Sequence, residues 1–417
     1  MQYGLIGEKL GHSFSKIVHS KLADYDYELK EIAKPDLEEF MNLKDFKAIN
    51  VTIPYKESVI KYLDFVDELA QKIGAVNTVV NNNGKLYGYN TDFLGLKALI
   101  EKTGIGINGK KVLILGSGGT SKTAYAVAES MSAGEVLRVS RTESEGLITY
   151  EQAVNEHNDA EIIINTTPVG MYDKIGVLPI DIGAFERLEG VIDAVYNPLN
   201  SALVCEARQR GIKACGGLYM LVAQAAFAVE KFLNLQIPKS DIQKVYADIL
   251  NEKKNIVLIG MPSSGKSTVG KLLANSLNKQ FIDTDSEIVK LTRMEIPEIF
   301  KEYGEAHFRE LESLVIANVS LKQNAVIATG GGAVLNPRNI ELLRENGFLV
   351  FLDRSVENLI TTDDRPLSST IEALTERYNE RYDIYCSSAN LIIDANGSIE
   401  ENVNKVKEGF INENFSN

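Results

Sequence analysis

Two strand–glycine–helix turns, each of the kind that carries nucleotide phosphates, constrain this chain more than anything else in it. Gly116-Ser117-Gly118-Gly119 follows the apolar run 112–115, and Gly260-Met-Pro-Ser-Ser-Gly265-Lys266-Ser267 follows the run 256–259. The first has the shape of a dinucleotide turn, and the second is a complete GxxxxGK[ST] phosphate loop. Each needs a strand feeding a helix, so the expected class is α/β, twice over. One half is expected to carry out redox chemistry and the other phosphoryl transfer.

At 417 residues the chain is too long for one ordinary core, so two or three domains are expected. With 44% hydrophobic and 24% charged residues it reads as soluble and globular. The formal net charge of -13 argues against nucleic acid or an anionic membrane as partner, yet not against nucleotides, which loop amides bind whatever the global charge. Cys205, Cys215 and Cys386 show no metal or CxxC spacing and read as small apolar residues in a reducing compartment. The start lacks the pattern of a secretory leader, and no apolar run approaches the ~20 residues of a membrane span. A cytoplasmic protein with small-molecule substrates is expected, its oligomeric state open to a homo-oligomer.

Hydrophobic periodicity lays out the elements. Residues 3–6 and 48–53 read as strands, 17–22 and 57–69 as helical, and 78–81 with 85–89 as a hairpin around Asn82-Asn83-Gly84. A helix is expected over 93–102. A βαβ pattern then opens at Lys111, with strands at 112–115, 136–139, 161–165 and 190–193. Residues 220–232 form an apolar helical stretch fit to lie between layers, and 241–250 a second helix. The boundary is expected near 251–254, with a new strand-first unit from Asn255 onward.

Gly116-x-Gly118-x-x-Ser121 departs from GxGxxG at its third position, and alone it is compatible with a tight turn that binds nothing. The next strand ends in Ser140-Arg141-Thr142, where an NAD site usually has a carboxylate for the ribose hydroxyls. A guanidinium there can pair with a 2'-phosphate, which favours NADP; a solvated surface arginine is the plainer reading. Three clusters accompany the turn: Gly11-His-Ser13-Phe-Ser15, Asn50-Val-Thr52-Ile-Pro54-Tyr-Lys56, and Ala75-Val-Asn77-Thr78 with Gly88-Tyr-Asn90-Thr91-Asp92. Separately each reads as turn and cap chemistry. Together they suit a small ring bearing hydroxyls and a carboxylate, with Lys56 and Asp92 able to converge on one hydroxyl as a proton-transfer pair.

At this point residues 1 to about 250 resemble shikimate dehydrogenase, through GHSFSKIVHS, NVTIPYK, GAVNTVV, GYNTD, the glycine turn, NTTPVGM, DAVYNP and GGLYMLVAQAA. The resemblance implies NADPH-dependent reduction of 3-dehydroshikimate to shikimate. It makes Lys56 the general acid/base and Asp92 its partner. Ser13 and Ser15 are implied to bind the substrate carboxylate, and Thr52, Asn77, Tyr196 and Gln224 the ring substituents. The cofactor is assigned to Gly116, Ser117, Gly118, Gly119 and Thr120 at the pyrophosphate, to Ser140, Arg141 and Thr142 at the adenosine phosphate end, and to Gly217 near the nicotinamide. Glu145 stands where a second basic residue is often found, and a carboxylate turned inward would repel a 2'-phosphate. The implied layout is a substrate domain over 1–98, completed by helices at about 221–250, and a Rossmann domain over 99–220.

In the second half, Lys266 is placed to bridge the β- and γ-phosphates of ATP and Ser267 to ligate Mg²⁺; a regulatory loop without turnover is the alternative. The following strand ends in Asp283-Thr284-Asp285, two carboxylates one residue apart, one available to the metal and the other to the acceptor if the strand stays extended. Phe308-Arg309-Glu310-Leu-Glu312 and Thr329-Gly330-Gly331-Gly332 offer a cation and a bare backbone to a small anion, or else a helix-surface ion pair and a simple turn. With GMPSSGKST, DTD, GEAHFRELE, TGGGAV, DRPLS and ERYDIY, residues 253–417 resemble shikimate kinase, a P-loop domain with a parallel sheet. The resemblance assigns Asp285, Arg309, Gly331 and Arg381 to shikimate. Ser263, Ser264, Gly265, Lys266, Ser267 and Thr268 go to the nucleotide, Ser267 and Asp283 to Mg²⁺, and Arg365 to a lid over the transferring phosphoryl group. The segment between Arg365 and Arg381 is short for the family, and Ile360-Thr361-Thr362 lacks the arginine that often packs on adenine. The joint expectation is a fused enzyme in which the product of one half is the acceptor of the other. A ligand-sensing regulator, or a first half acting on quinate or a related hydroxy acid, are the alternatives.

Overall fold

A computed structural model describes residues 1–11, 14–172, 175–359 and 371–416. The chain divides into two compact units, Met1–Ile249 and Leu250–Asn417. The helix Lys239–Lys253 runs continuously through the stretch that reads as a boundary in the sequence. Among the described residues no helix is long and apolar enough to cross a membrane.

The first unit contains two six-stranded sheets. In the first, Tyr3–Gly7 pairs in parallel with Tyr27–Glu31 and with Ala48–Val51. Ala48–Val51 then runs antiparallel to Thr78–Asn82, which turns at Asn83-Gly84, both with positive φ, into Lys85–Tyr89. That turn is the hairpin the Asn-Asn-Gly signal predicts. The second sheet is wholly parallel, in the order Lys213–Cys215, Gly190–Asp193, Ile162–Asn165, Lys111–Leu115, Glu135–Ser140, Ile148–Thr149. The chain crosses from one side of Lys111–Leu115 to the other, so the glycine turn after that strand opens at the switch point of a doubly wound sheet. The helix Leu218–Leu233 buries Val222, Ala223, Ala226 and Val229, as its apolar character requires.

The expected helix over 57–69 does not form. The segment holds a short 3₁₀ turn at Ile60–Tyr62, the strand Phe65–Val66 and, from Glu68, the helix Glu68–Ile73. Phe65–Val66 pairs with Tyr87–Gly88, and the Asp67 carboxylate accepts from the Leu69 amide at 3.2 Å. An edge pairing that sequence periodicity cannot register outcompetes a continuous helix, and Asp67 becomes an N-cap.

The second unit is a five-stranded parallel sheet ordered Gln280–Asp283, Ala325–Ala328, Asn255–Ile259, Gly347–Asp353, Leu391–Asp394. Its central strand, Asn255–Ile259, is buried at every position, as expected when helices cover both faces. Ile259 and Phe351 pack with Phe308 and Tyr385 toward one face, while Ile256 and Val350 pack with Leu273 and Phe410 toward the other.

Candidate functional sites

In the first unit, Lys56 and Asp92 come from segments 36 residues apart, yet Lys56 Nζ lies 2.7 Å from Asp92 Oδ2. Their placement follows from caps and turns. Asn90 caps the helix Thr91–Thr103, accepting from the Phe93 amide and donating through Nδ2 to the Ala75 carbonyl. Asp92 thus sits in the first helical turn, where the dipole favours a carboxylate. The Lys56 carbonyl accepts from the Val76 amide, which ties the lysine to the same corner. The two side chains are 15% and 9% exposed, so they are dry enough to interact strongly and open enough to meet a ligand.

They line a cavity of about 590 Å³, together with Ser15, Thr52, Asn77, Tyr196 and Gln224. Asn77 is held on all sides: Oδ1 accepts from the Thr91 amide at 2.7 Å, and Nδ2 donates to Thr91 Oγ1 and to Gln224 Oε1, each at 3.1 Å. Burial pushes the Tyr196 phenol up from its ordinary value, and its ring lies 5.4 Å from that of Phe14. Ser13 lies outside the described residues.

The glycine turn adjoins this cavity. Gly116 has φ +121°, and a Cβ there would sit 2.6 Å from Thr166 Oγ1. Ser121, the departure from the glycine pattern, donates to the Gly116 carbonyl at 2.6 Å and locks the turn. Gly118 caps the helix Gly119–Ser130, and a Cβ on Gly119 would lie 3.8 Å from the Lys56 side chain. Thr120 and Gly217 also line the cavity. A close approach of backbone to ligand is therefore available from this turn to the lysine, and these residues fit a dinucleotide. Ser140 ends the neighbouring strand, with Arg141 and Thr142 exposed beyond it. Neither Arg141 nor Glu145 makes an ion pair among the described residues, so no contact between them cancels the guanidinium.

One buried group was missed in the sequence. Asp193 is fully buried; it accepts from Asn165 Nδ2, from the Val195 amide and from Ser201 Oγ. Asn165 in turn accepts from the amide and hydroxyl of Thr167, so one carboxylate ties the loops bearing Thr167 and Tyr196 to the cavity wall. Burial raises the Asp193 pKa to about 6 against those three bonds. An acidic residue closing the apolar strand Gly190–Asp193 was the available signal.

The second unit has its own cavity, of about 780 Å³, lined by the phosphate loop and by Asp285, Arg309, Gly331 and Arg381. Gly265, at φ +94°, caps the helix Lys266–Leu277, and Ser263 is also left-handed. Ser264 is buried, and its amide donates to the Met261 carbonyl. Lys266 Nζ folds onto the Gly260 and Met261 carbonyls at 2.9 and 2.7 Å. Ser267 Oγ donates to Asp283 Oδ2 at 2.6 Å. A hydroxyl beside a carboxylate at a phosphate loop is an oxygen set that fits Mg²⁺, which takes few protein ligands and completes its shell with water and phosphate. Thr268 follows on the cavity wall.

The expectation that the strand stays extended through Asp283-Thr284-Asp285 is corrected. The strand stops at Asp283, whose Oδ1 accepts from the Asp285 and Ser286 amides, so Asp285 lies in the first turn of the helix Thr284–Thr292. Capping supersedes strand alternation and still leaves both groups on the cavity. Arg309 is both a helix ion pair and a cavity residue, bonded to Glu305 and, at 2.8 Å, to the buried Glu312. Burial pushes the Glu312 carboxyl up, opposed by Arg309. A Cβ on Gly332 would overlap the Arg309 guanidinium and one on Gly331 would strike Pro262 at 2.6 Å, which explains the bare backbone. Arg381 Nη1 donates to the Gly331 carbonyl at 3.2 Å. Arg365 and Ile360-Thr361-Thr362 lie outside the described residues.

With this geometry in hand, likeness to known proteins decides the family. A shikimate dehydrogenase from Clostridium perfringens is 34% identical over 264 residues, spanning 59% of this chain and 97% of the relative. This chain belongs to the shikimate dehydrogenase family. Residues 5–79 match the family model of the shikimate dehydrogenase substrate binding domain, and residues 262–410 match that of shikimate kinase, so the family's fold is here joined to a kinase domain. The crystal structure of shikimate dehydrogenase 1 from Peptoclostridium difficile is similar, with a TM-score of 0.56 and 35% identity over 60% of this chain and 98% of that one. The shikimate dehydrogenase of Thermus thermophilus in complex with NADP(H) and shikimate gives a TM-score of 0.54 and 28% identity, over 60% and 99% of the two chains.

Proposed function

We propose that the first unit reduces 3-dehydroshikimate to shikimate with NADPH and that the second transfers the γ-phosphoryl group of ATP to shikimate. The observation that carries the reading is the contact of Lys56 with Asp92 on the wall of a cavity reached by a dinucleotide turn. NADPH, when bound, supplies a hydride to the carbonyl carbon. Lys56 then donates a proton to the carbonyl oxygen, and Asp92 holds the ammonium in place and stabilises it. Ser15 with Ser13, and Thr52, Asn77, Tyr196 and Gln224, orient the ring, while Gly217, packed on the Ala194 backbone, lies on the wall nearest the nicotinamide. Arg141, at its strand end, pairs with the 2'-phosphate.

In the second unit the loop amides and Lys266 cradle the ATP phosphates, and Ser267 with Asp283 holds Mg²⁺, which screens their charge. Asp285 takes the proton of the attacking hydroxyl, Arg309, Gly331 and Arg381 position the acceptor, and Arg365 covers the transferring group. In this reading residues 1–98, completed by 221–250, bind substrate, 99–220 bind NADP and 253–417 form the kinase. The acidic surface fits small cytoplasmic substrates rather than a polyanionic partner. A coupled assay with 3-dehydroshikimate, NADPH, ATP and magnesium tests the whole. NADPH oxidation and ADP release should both depend on 3-dehydroshikimate, and ADP release without dependence on added or newly formed shikimate would reject the reading.

A further inference from the structure

One buried carboxylate of the first unit reaches two stretches of its cavity wall. Asp193 closes the strand Gly190–Asp193 and pairs in the sheet register with Asn165, the last residue of Ile162–Asn165. Its Oδ1 accepts from Asn165 Nδ2 and from the Val195 amide, each at 2.9 Å, and its Oδ2 accepts from Ser201 Oγ at 2.5 Å. Asp193, Asn165 and Ser201 are all buried, so none of these bonds competes with water.

The loops so fastened carry ligand-facing residues. Thr166 and Thr167 follow Asn165, Val195 and Tyr196 follow Asp193, and all four line the cavity. Asn165 Oδ1 holds the Thr167 amide and hydroxyl at 3.0 and 2.7 Å. The Val195 carbonyl accepts from the Gly217 amide at 2.8 Å, and a Cβ on Gly217 would overlap the Ala194 carbonyl. A Cβ on Gly116 would lie 2.6 Å from Thr166 Oγ1. The contacts that start at Asp193 thus end at Gly217 in one direction and at the glycine turn in the other.

Sheet order indicates which end of a dinucleotide these loops meet. Glu135–Ser140, with Arg141 beyond it, lies on one side of Lys111–Leu115, and Ile162–Asn165 and Gly190–Asp193 lie on the other. A dinucleotide laid across that switch point with its adenosine phosphate at Arg141 has its nicotinamide over the second pair of strands.

We propose that Asp193 is a positioning residue for hydride transfer: through Asn165 and the Val195 amide it fixes the two loops against which the nicotinamide lies, and with them the distance from that ring to the substrate carbonyl carbon. The proposal rests on the reading that this unit reduces 3-dehydroshikimate with NADPH. Asp193 itself does not line the cavity. The pyrophosphate is held at the glycine turn and the substrate by Ser15, Thr52, Asn77 and Gln224, so both ligands should still bind when Asp193 is lost, while their mutual alignment is not kept. A misplacement of about 1 Å is enough to cost about 10²-fold in rate.

Nicotinamide fluorescence and dehydrogenase kinetics of the full chain test this. Asp193→Ala orphans three buried donors; Ser201→Ala removes one bond from outside the cavity lining and is the milder variant. In both, NADPH should bind with near-wild-type affinity, which also verifies that the unit is folded, while the emission of the bound nicotinamide shifts toward that of free NADPH. The kcat should fall about ten- to a hundred-fold in Asp193→Ala and less in Ser201→Ala, with the KM for 3-dehydroshikimate little changed. NADPH deuterated at the transferred hydrogen should show a larger isotope effect on kcat in the variants than in wild type. Asp193→Asn should restore most of the rate, because its Oδ1 still accepts from Asn165 and Val195 and its Nδ2 donates to the Ser201 hydroxyl. Wild-type emission and kcat in Ser201→Ala or in a folded Asp193→Ala, a loss as large in Asp193→Asn as in Asp193→Ala, or a change confined to KM would overturn the positioning role. A wild-type chain that oxidises no NADPH with 3-dehydroshikimate would instead overturn the proposed function.

Discussion

At the scale of single residues, the function proposed for the first unit rests on Lys56. Removing a positioned proton donor costs about 10²–10⁴ in rate, so Lys56→Ala should lower dehydrogenase kcat by that order while NADPH binding, measured by fluorescence titration, persists. Loss of cofactor binding as well would mean that the turn at Gly119, packed against Lys56, has collapsed. His19 makes a different prediction. Its ring is buried, stacks on Tyr27 at 3.8 Å and meets the Tyr25 hydroxyl at 2.6 Å. Burial lowers its pKa to about 3, with a hydrogen bond to Asn50 acting the other way. An unfolded histidine protonates near its ordinary value of 6.5, so the neutral folded ring favours the fold fully above that pH, and this contribution drains away as pH falls toward 3. Asp193 acts in the opposite sense: its raised pKa makes its charge cost stability as pH rises through about 6. Comparing His19→Gln with wild type at each pH cancels the Asp193 effect. The variant should lose less stability than wild type between pH 7 and 4 in chemical denaturation, and parallel curves would refute the assignment.

At the scale of elements, the helices Thr91–Thr103 and Leu218–Leu233 carry the two walls of the first cavity, one bearing Asp92 and the other Gln224. Their separation is set by Gly95, where a Cβ would lie 2.7 Å from both Gln224 Cβ and the Met220 carbonyl oxygen. One of those obstacles is backbone and cannot rotate aside. Gly95→Ala should therefore destabilise the first unit by about 1–3 kcal/mol and shift Gln224 away from Asn77. A denaturation midpoint equal to wild type, with an unchanged substrate KM, would show that the helices can part freely. The same scale shows where sequence patterns mislead. Residues 57–69 carry helical periodicity, yet Phe65–Val66 is taken by a sheet edge. Asp283-Thr284-Asp285 looks like strand, yet Asp283 ends the strand by capping a helix. In both places an aspartate cap, Asp67 or Asp283, was the local sign of a break that hydrophobic spacing overrode.

At the scale of the whole molecule, each unit has its own buried cores and its own cavity. The two activities should therefore separate. Lys266→Ala should remove ATP-dependent ADP release while NADPH oxidation continues at the wild-type rate, and Lys56→Ala should do the reverse with shikimate supplied. Joint loss in either variant would show coupling between the units. The motifs alone determined the class of each half, because a phosphate turn needs a strand, a glycine-bearing bend and a helix in sequence, and such local geometry is written in consecutive residues. They also singled out Lys56, Asp92, Lys266 and Asp283, all of which line the two cavities, as candidates by chemical type. Only the tertiary structure decided which distant groups meet. The tie of Asp193 to two cavity loops, the pairing of Arg309 with Glu312 and the place of Arg377 on the second cavity all depend on burial and on partners. Those are properties of the packed chain, and residue spacing does not encode them.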